Sequence, residues 1–254
     1  MRVLDHESLL ALAGAEIDAM ASVVGDAPDI SSHVATCPEW TIADLARHTG
    51  LVHRWATAIV SSRAESRIAF PEADSPWESA DGWAQWLAAG AGPLLAGLRE
   101  AGPGAVVWTW GPAHSSGWWA RRMLHETTVH RADAELALGA VPVIDPGVAA
   151  DGISEFLANL PSSRRAARHL TSLPAGESMH LHATDGPEGE WLVRFGGPAG
   201  IEWSHGHAKA TAAVRGPVAE LLLFTYGRIA PDDARLTVFG DPSVLTAWQS
   251  NSAL

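Results

Sequence analysis

The chain is poor in cysteine, tyrosine and lysine. Its 254 residues contain one cysteine and one tyrosine, and Lys209 is its single lysine. With one thiol, Cys37, no intramolecular disulfide can form, which fits a reducing cytoplasm as the expected location. Basic charge is also scarce: 17 Lys and Arg stand against 29 Asp and Glu, a formal net charge of -12. No basic run occurs, so neither nucleic acid nor an anionic membrane surface is an expected partner. An unbroken run of about 18 apolar residues is absent, and no membrane span is expected. The first twenty residues mix acids with apolar side chains and read as an amphipathic helix, not a signal peptide. Internal repeats and low-complexity tracts are absent too.

What is present is enough apolar material for a core. The chain is 47% hydrophobic and 18% charged, the balance of a folded globular protein. Twelve tryptophans stand out. They crowd into the first half and read mainly as core and interhelical packing. Trp108, Trp110, Trp118 and Trp119 are also placed to wall a pocket.

Hydrophobic periodicity divides the chain. Residues 6 to about 24 space Leu9, Leu10, Leu12, Ile17 and Met20 as a helix does. A second helix opens at "EWTIADLARHTGLVHRWATAIV", with Thr41 as N-cap and Asp44 completing a capping-box variant. A third covers about 79 to 100, where Pro93 is expected to kink or split it. A fourth covers about 116 to 138 and is closed by Gly139. Four helices with three connections predict a four-helix bundle. "GAVPVIDPG" (139–147) reads as a linker, giving domains 1–145 and 146–254. After a further helical stretch from 147 to about 170, "SMHLHATD", "EWLVRFGG", "AKATAAVRG" and "RLTVFGD" read as strands with turns such as "DGPEGE" between them. Helices recur at "PVAELLLFTYGR" and "PSVLTAWQ". The second domain is therefore a small α+β unit.

The stretch "LHETTVHRAD" (124–133) carries the chemistry. It is not a zinc-protease His-Glu-x-x-His helix. His125 and His130 are five apart, about 140° around a helix, and cannot easily grip one ion. Glu126 and His130 are four apart, about 40° around, and share a face. A third ligand has to come from a facing helix. The second helix offers His48, four residues after Asp44, which is placed to orient the imidazole if the cap does not engage it. His48, Glu126 and His130 make a His₂Glu set, the donor pattern of a zinc site with an open fourth position. Nickel, iron and cobalt suit the same donors.

"CPEWTIADLARHTG", the helix with "HETTVHRAD" and a C-terminal "VRGPVAELLLFTYGR" follow one another in the order found in the mycothiol-dependent maleylpyruvate isomerase family of the DinB-like superfamily, which the chain resembles over nearly its whole length. The resemblance implies a DinB-like bundle holding a divalent metal, usually zinc, through His48, Glu126 and His130. It implies a sterol-carrier-protein-like C-terminal domain that lends an arginine to the site, with Arg215 and Arg228 as the two candidates. Mycothiol is the implied thiol cosubstrate. The implied substrate is a small carboxylate or electrophile, and an arginine suits a carboxylate clamp. Metal lowers the pKa of a bound thiol, and the thiolate is the nucleophile. Addition to a cis enedioic keto acid, rotation and elimination would give cis–trans isomerisation. A substrate with a leaving group would give S-transfer. A metallohydrolase using zinc-activated water, and a non-catalytic small-molecule-binding protein with a structural metal, stand as alternatives.

Other polar residues receive blander readings. Cys37 is expected to pack, since the cosubstrate supplies the sulfur. His125 and His53 are expected off the metal face. Arg131 and Asp133 read mainly as a solvated helix face, with a place for Asp133 behind the metal ligand His130, three residues earlier, as the alternative. His180 with His182, and His205 with His207, read as polar positions on strand faces, because neither pair has a carboxylate nearby in sequence.

Overall fold

The computed structural model describes residues 4–72, 79–185 and 189–252. The chain divides into two compact units. One comprises Leu4–Thr109 and Ala113–Val143; the other comprises Ile144–Leu254 with the short segment Trp110–Pro112.

The first unit is a bundle of α1 (His6–Gly25), α2 (Ile42–Ser61), α3 (Ala80–Ala101) and α4 (Ser116–Ala137). Each start is fixed by a side chain that takes an orphan backbone N–H. Asp5 caps α1, Ser79 caps α3 and Ser115 caps α4. Thr41 and Asp44 form a full capping box on α2. Helices α1 and α2 each pack against both α3 and α4. The core between them is built from Leu10, Ile17, Met20, Ile42, Leu45, Trp83 and Leu87. Burying each such side chain contributes roughly 1.5–3 kcal/mol.

Two expectations change here. Pro93 does not split α3, which runs unbroken through it. Pro93 and Ala89 are both exposed, so water can take the Ala89 carbonyl that the proline ring leaves without an N–H. And α1, with 20 residues and a mean hydropathy of 1.4, is long and apolar enough to cross a membrane. Its average passes that test although acids interrupt the run. Its apolar face, with Leu10, Ala13, Ile17, Met20 and Val24, is buried in this fold.

The second unit is α+β. After α5 (Pro146–Asn159), a 3₁₀ turn (Leu160–Ser162) and α6 (Arg164–Leu170), five strands follow: β1 (Ser178–Ala183), β2 (Glu190–Phe195), β3 (Ile201–His205), β4 (Ala212–Gly216) and β5 (Thr237–Gly240). The sheet order is β3-β2-β1-β4-β5. β1 pairs with β4 in parallel, and the other pairs are antiparallel. Helix α7 (Val218–Thr225) follows β4, and α8 (Pro242–Asn251) closes the chain. Met179, Leu181, Trp191, Val193, Val214, Phe224 and Trp248 form buried core. The Trp191 indole N–H donates to Ser154 Oγ at 2.9 Å. Part of the turn expected at "DGPEGE", residues 186–188, lies outside the described residues. Strand β3, "IEWSH", was anticipated only through His205, because it is short and three of its five residues are polar, and it ends at His205, so that His207 lies off the strand expected for it.

Candidate metal centre

Helices α2 and α4 pack together, and this brings His48 to Glu126 and His130. One donor atom from each of the three lies within 4.8 Å of the others. Glu126 Oε1 is 3.0 Å from His48 Nε2 and 3.4 Å from His130 Nε2. A tetrahedral ion with bonds of about 2.0–2.1 Å separates its ligand atoms by roughly 3.3 Å, so the donors fit such an ion. The side chains are 32%, 20% and 12% exposed for His48, Glu126 and His130, so the cluster is open from the His48 side.

The surroundings set the protonation of these groups. His130 Nδ1 donates to Asp133 Oδ2 at 2.9 Å, which leaves Nε2 facing Glu126. Asp133 is fully buried. It also accepts from Thr36 Oγ1 at 2.6 Å and from Cys37 Sγ at 3.4 Å. Burial alone would lower the pKa of His130, but hydrogen bonds with Asp133, Cys37 and Glu126 hold it well above the usual imidazole value. Burial likewise pushes the Glu126 carboxyl up. Hydrogen bonds from His130 and His48, with the charges of His130 and Arg122, hold it well below the usual carboxylate value. Arg122 Nη2 lies 3.2 Å from Glu126 Oε2, one helical turn away on α4. Trp40 closes one side, its ring 4.7 Å from that of His48 and 6.0 Å from that of His130.

Several blander readings fail against this geometry. Asp133 is no solvated face residue; it is the buried acceptor behind His130. Arg131 is buried and pairs with Glu16 at 2.7 Å and Glu135 at 2.7 Å. Cys37 packs in the core, yet its thiol also donates into the Asp133 carboxylate. Asp44 is held in the Thr41 cap and by Arg47 at 3.0 Å, which removes it as an orienting acceptor for His48. His125 is buried outside the cluster. His53 is buried, and its Nε2–H donates to Thr127 Oγ1 at 2.8 Å, because the Thr127 hydroxyl itself donates to the Met123 carbonyl. Trp118 and Trp119 are buried, and the Trp119 indole donates to the Trp108 carbonyl at 2.8 Å. Missed by sequence reasoning were Trp40, Thr36 and Arg122. Only Arg122, four residues before Glu126, left a helical-spacing signal.

The two candidate arginines sit in the second unit. Arg215 is exposed on β4, in register with His182 of β1. Arg228 follows α7; its Nη1 donates to the Tyr226 carbonyl at 2.8 Å, and its guanidinium lies 5.7 Å from the Tyr226 ring centre.

Known proteins match this architecture. No curated protein matches the chain. The crystal structure of the mycothiol-dependent maleylpyruvate isomerase is similar at 16% identity, with a TM-score of 0.57, covering 92% of this chain and 93% of that one. A histidine-to-alanine mutant of that isomerase matches at the same 16% identity, 0.57 TM-score and coverage. At that identity the likeness shows a shared fold. Residues 10–135 match the family model described as the mycothiol maleylpyruvate isomerase N-terminal domain. Residues 147–247 match the one described as the MDMPI C-terminal domain. With both domains present in that order, the chain belongs to the mycothiol maleylpyruvate isomerase family.

Proposed function

We propose that this protein is a divalent-metal-dependent, mycothiol-using enzyme that acts on a small carboxylate or electrophile, as a maleylpyruvate isomerase-like cis–trans isomerase or as a thiol S-transferase. The observation that carries this reading is the convergence of His48, Glu126 and His130 from two helices into one partly open donor set. The family supports it, and so does the fold shared with the mycothiol-dependent isomerase.

In this reading His48, Glu126 and His130 hold a zinc-class ion. Such an ion, when bound, lowers the pKa of a coordinated thiol and makes a thiolate available at neutral pH. Asp133 accepts a hydrogen bond from His130 Nδ1–H and so keeps the proton on Nδ1, leaving Nε2 to present its lone pair to an ion. Arg122 balances the second oxygen of Glu126 and keeps that carboxyl ionised. Trp40 shields the two imidazoles on one side and limits water there. A substrate carboxylate calls for a cationic clamp, and Arg215 and Arg228 are the proposed candidates.

The test is metal content by plasma mass spectrometry on untagged protein, for wild type beside Glu126→Ala, followed by turnover of a cis-configured keto acid with and without mycothiol. The expected result is bound metal and thiol-dependent turnover in wild type, with the turnover and the ion held by the bundle both lost in the variant. Full metal retention with unchanged activity in Glu126→Ala would overturn the site. Turnover that does not need the thiol would replace this reading with that of a metallohydrolase.

A further inference from the structure

The sheet of the second unit gathers a second set of metal donors, independent of the bundle. His180 and His182 lie two apart on β1 and share one face of the sheet. The β1–β2 register sets Glu190 directly opposite His182. The chain then turns after β3, and His207 comes back over the same face. Glu190 Oε1 lies 2.6 Å from His182 Nδ1 and 3.0 Å from His207 Nδ1. The His180 and His207 rings meet edge-on at 5.3 Å, and the His182 ring is 6.1 Å and 6.2 Å from them. One ring nitrogen from each histidine lies within 4.8 Å of the other two.

We infer that His180, His182 and His207, with Glu190 as the charge-balancing carboxylate, form a second binding site for a zinc-class divalent ion on the C-terminal sheet. Two features separate this from a chance cluster of polar side chains. His180 is only 3% exposed, and its Nε2 has no hydrogen-bond partner among the described residues. A buried ring nitrogen in that state is costly unless something binds it. The carboxylate among the three rings also selects for a cation over an anion. Access is open on one side, since the His207 side chain is 77% exposed.

His205, the expected companion of His207, is not part of the set. It pairs in register with Trp191 and packs on Trp191 and Trp203 at 5.9 Å and 5.3 Å. A bound ion would therefore fasten the segment after β3, residues 206–210, to β1 and β2. The three imidazoles would supply three positions, and Glu190 would balance the charge through its contacts with His182 and His207.

The test uses untagged, chelator-stripped full-length protein titrated with Zn²⁺ and Co²⁺. It compares wild type, Glu126→Ala, His182→Ala and the double variant. The expected result is that Glu126→Ala still binds one ion per chain and the double variant binds none. Glu190→Gln, which preserves shape, should weaken that remaining site 10- to 100-fold. Hydrogen exchange in residues 206–210 of Glu126→Ala should slow when Zn²⁺ is added. An identical ion content in Glu126→Ala and the double variant would overturn the inference, as would no binding by Glu126→Ala. Failure of the bundle site reads differently: His182→Ala would then bind no ion while Glu126→Ala bound one.

Discussion

At His130 two carboxylates divide one imidazole between them. Asp133 accepts the Nδ1–H hydrogen bond, and Glu126 faces Nε2. Partners behind a ligand fix its tautomer and raise its basicity. Asp133→Asn is therefore expected to lower metal affinity about 10- to 100-fold while the bundle stays folded, as read by competition with a chromophoric chelator. His53 makes a separate prediction about pH. Burial lowers its pKa to about 4 from 6.5. The unfolded chain takes up that proton first, so stability from the neutral ring is complete above pH 6.5 and is lost as pH falls toward 4. A shift of that size is worth on the order of 3 kcal/mol. Urea unfolding of the metal-free protein across that window should give a shallower pH slope for His53→Gln than for wild type. Equal slopes would mean that His53 does not drive the loss. The Glu126–His130 pair was legible because helical spacing exposes it, and His48 was added as a proposed ligand from the facing helix. For Asp133 the place behind His130 ranked below a solvated face, because its other neighbours, Thr36 and Cys37, arrive from another part of the chain.

Among the elements, α2 carries a close packing constraint. A Cβ on Gly50 would lie 2.1 Å from an atom of the Trp86 ring on α3. The same Trp86 stacks under the Arg54 guanidinium at 3.8 Å. Gly50→Ala must push that ring aside, and overpacking of this kind costs about 1–3 kcal/mol. A lowered urea midpoint with unchanged slope would be the signature. In α3 the opposite gain is expected. Pro93 is exposed within a continuous helix, so Pro93→Ala should raise the midpoint, by less than the roughly 3 kcal/mol that proline costs in an unstrained helix interior. An unchanged midpoint would show that the surrounding helix has already relaxed around the ring. Helices were easy to read because capping residues and a 3.6-residue period are local signals. Strand β3 was not, and neither was the parallel pairing of β1 with β4, which joins segments about thirty residues apart.

Across the whole molecule, a ligand that binds only the folded state raises stability in proportion to its saturation. An ion at a hundred times its Kd adds about 2.7 kcal/mol. Removing metal from the protein with a chelator should therefore lower the thermal midpoint, and returning Zn²⁺ should restore it. Glu126→Ala should remove the part of that shift that belongs to the bundle. No response to either treatment would argue against both metal sites.

The sequence by itself determined the helical bundle followed by an α+β unit, the helix starts, and the pairing of Glu126 with His130, because each depends on residues within a few turns of one another. It also carried the order of motifs that marks the family. Only the tertiary structure decided that Asp133 stands behind His130, that Trp40 covers the imidazoles, and that Glu190 lies among three histidines. Those contacts join residues far apart in the chain, and their geometry follows from helix packing and strand register, which no local pattern encodes.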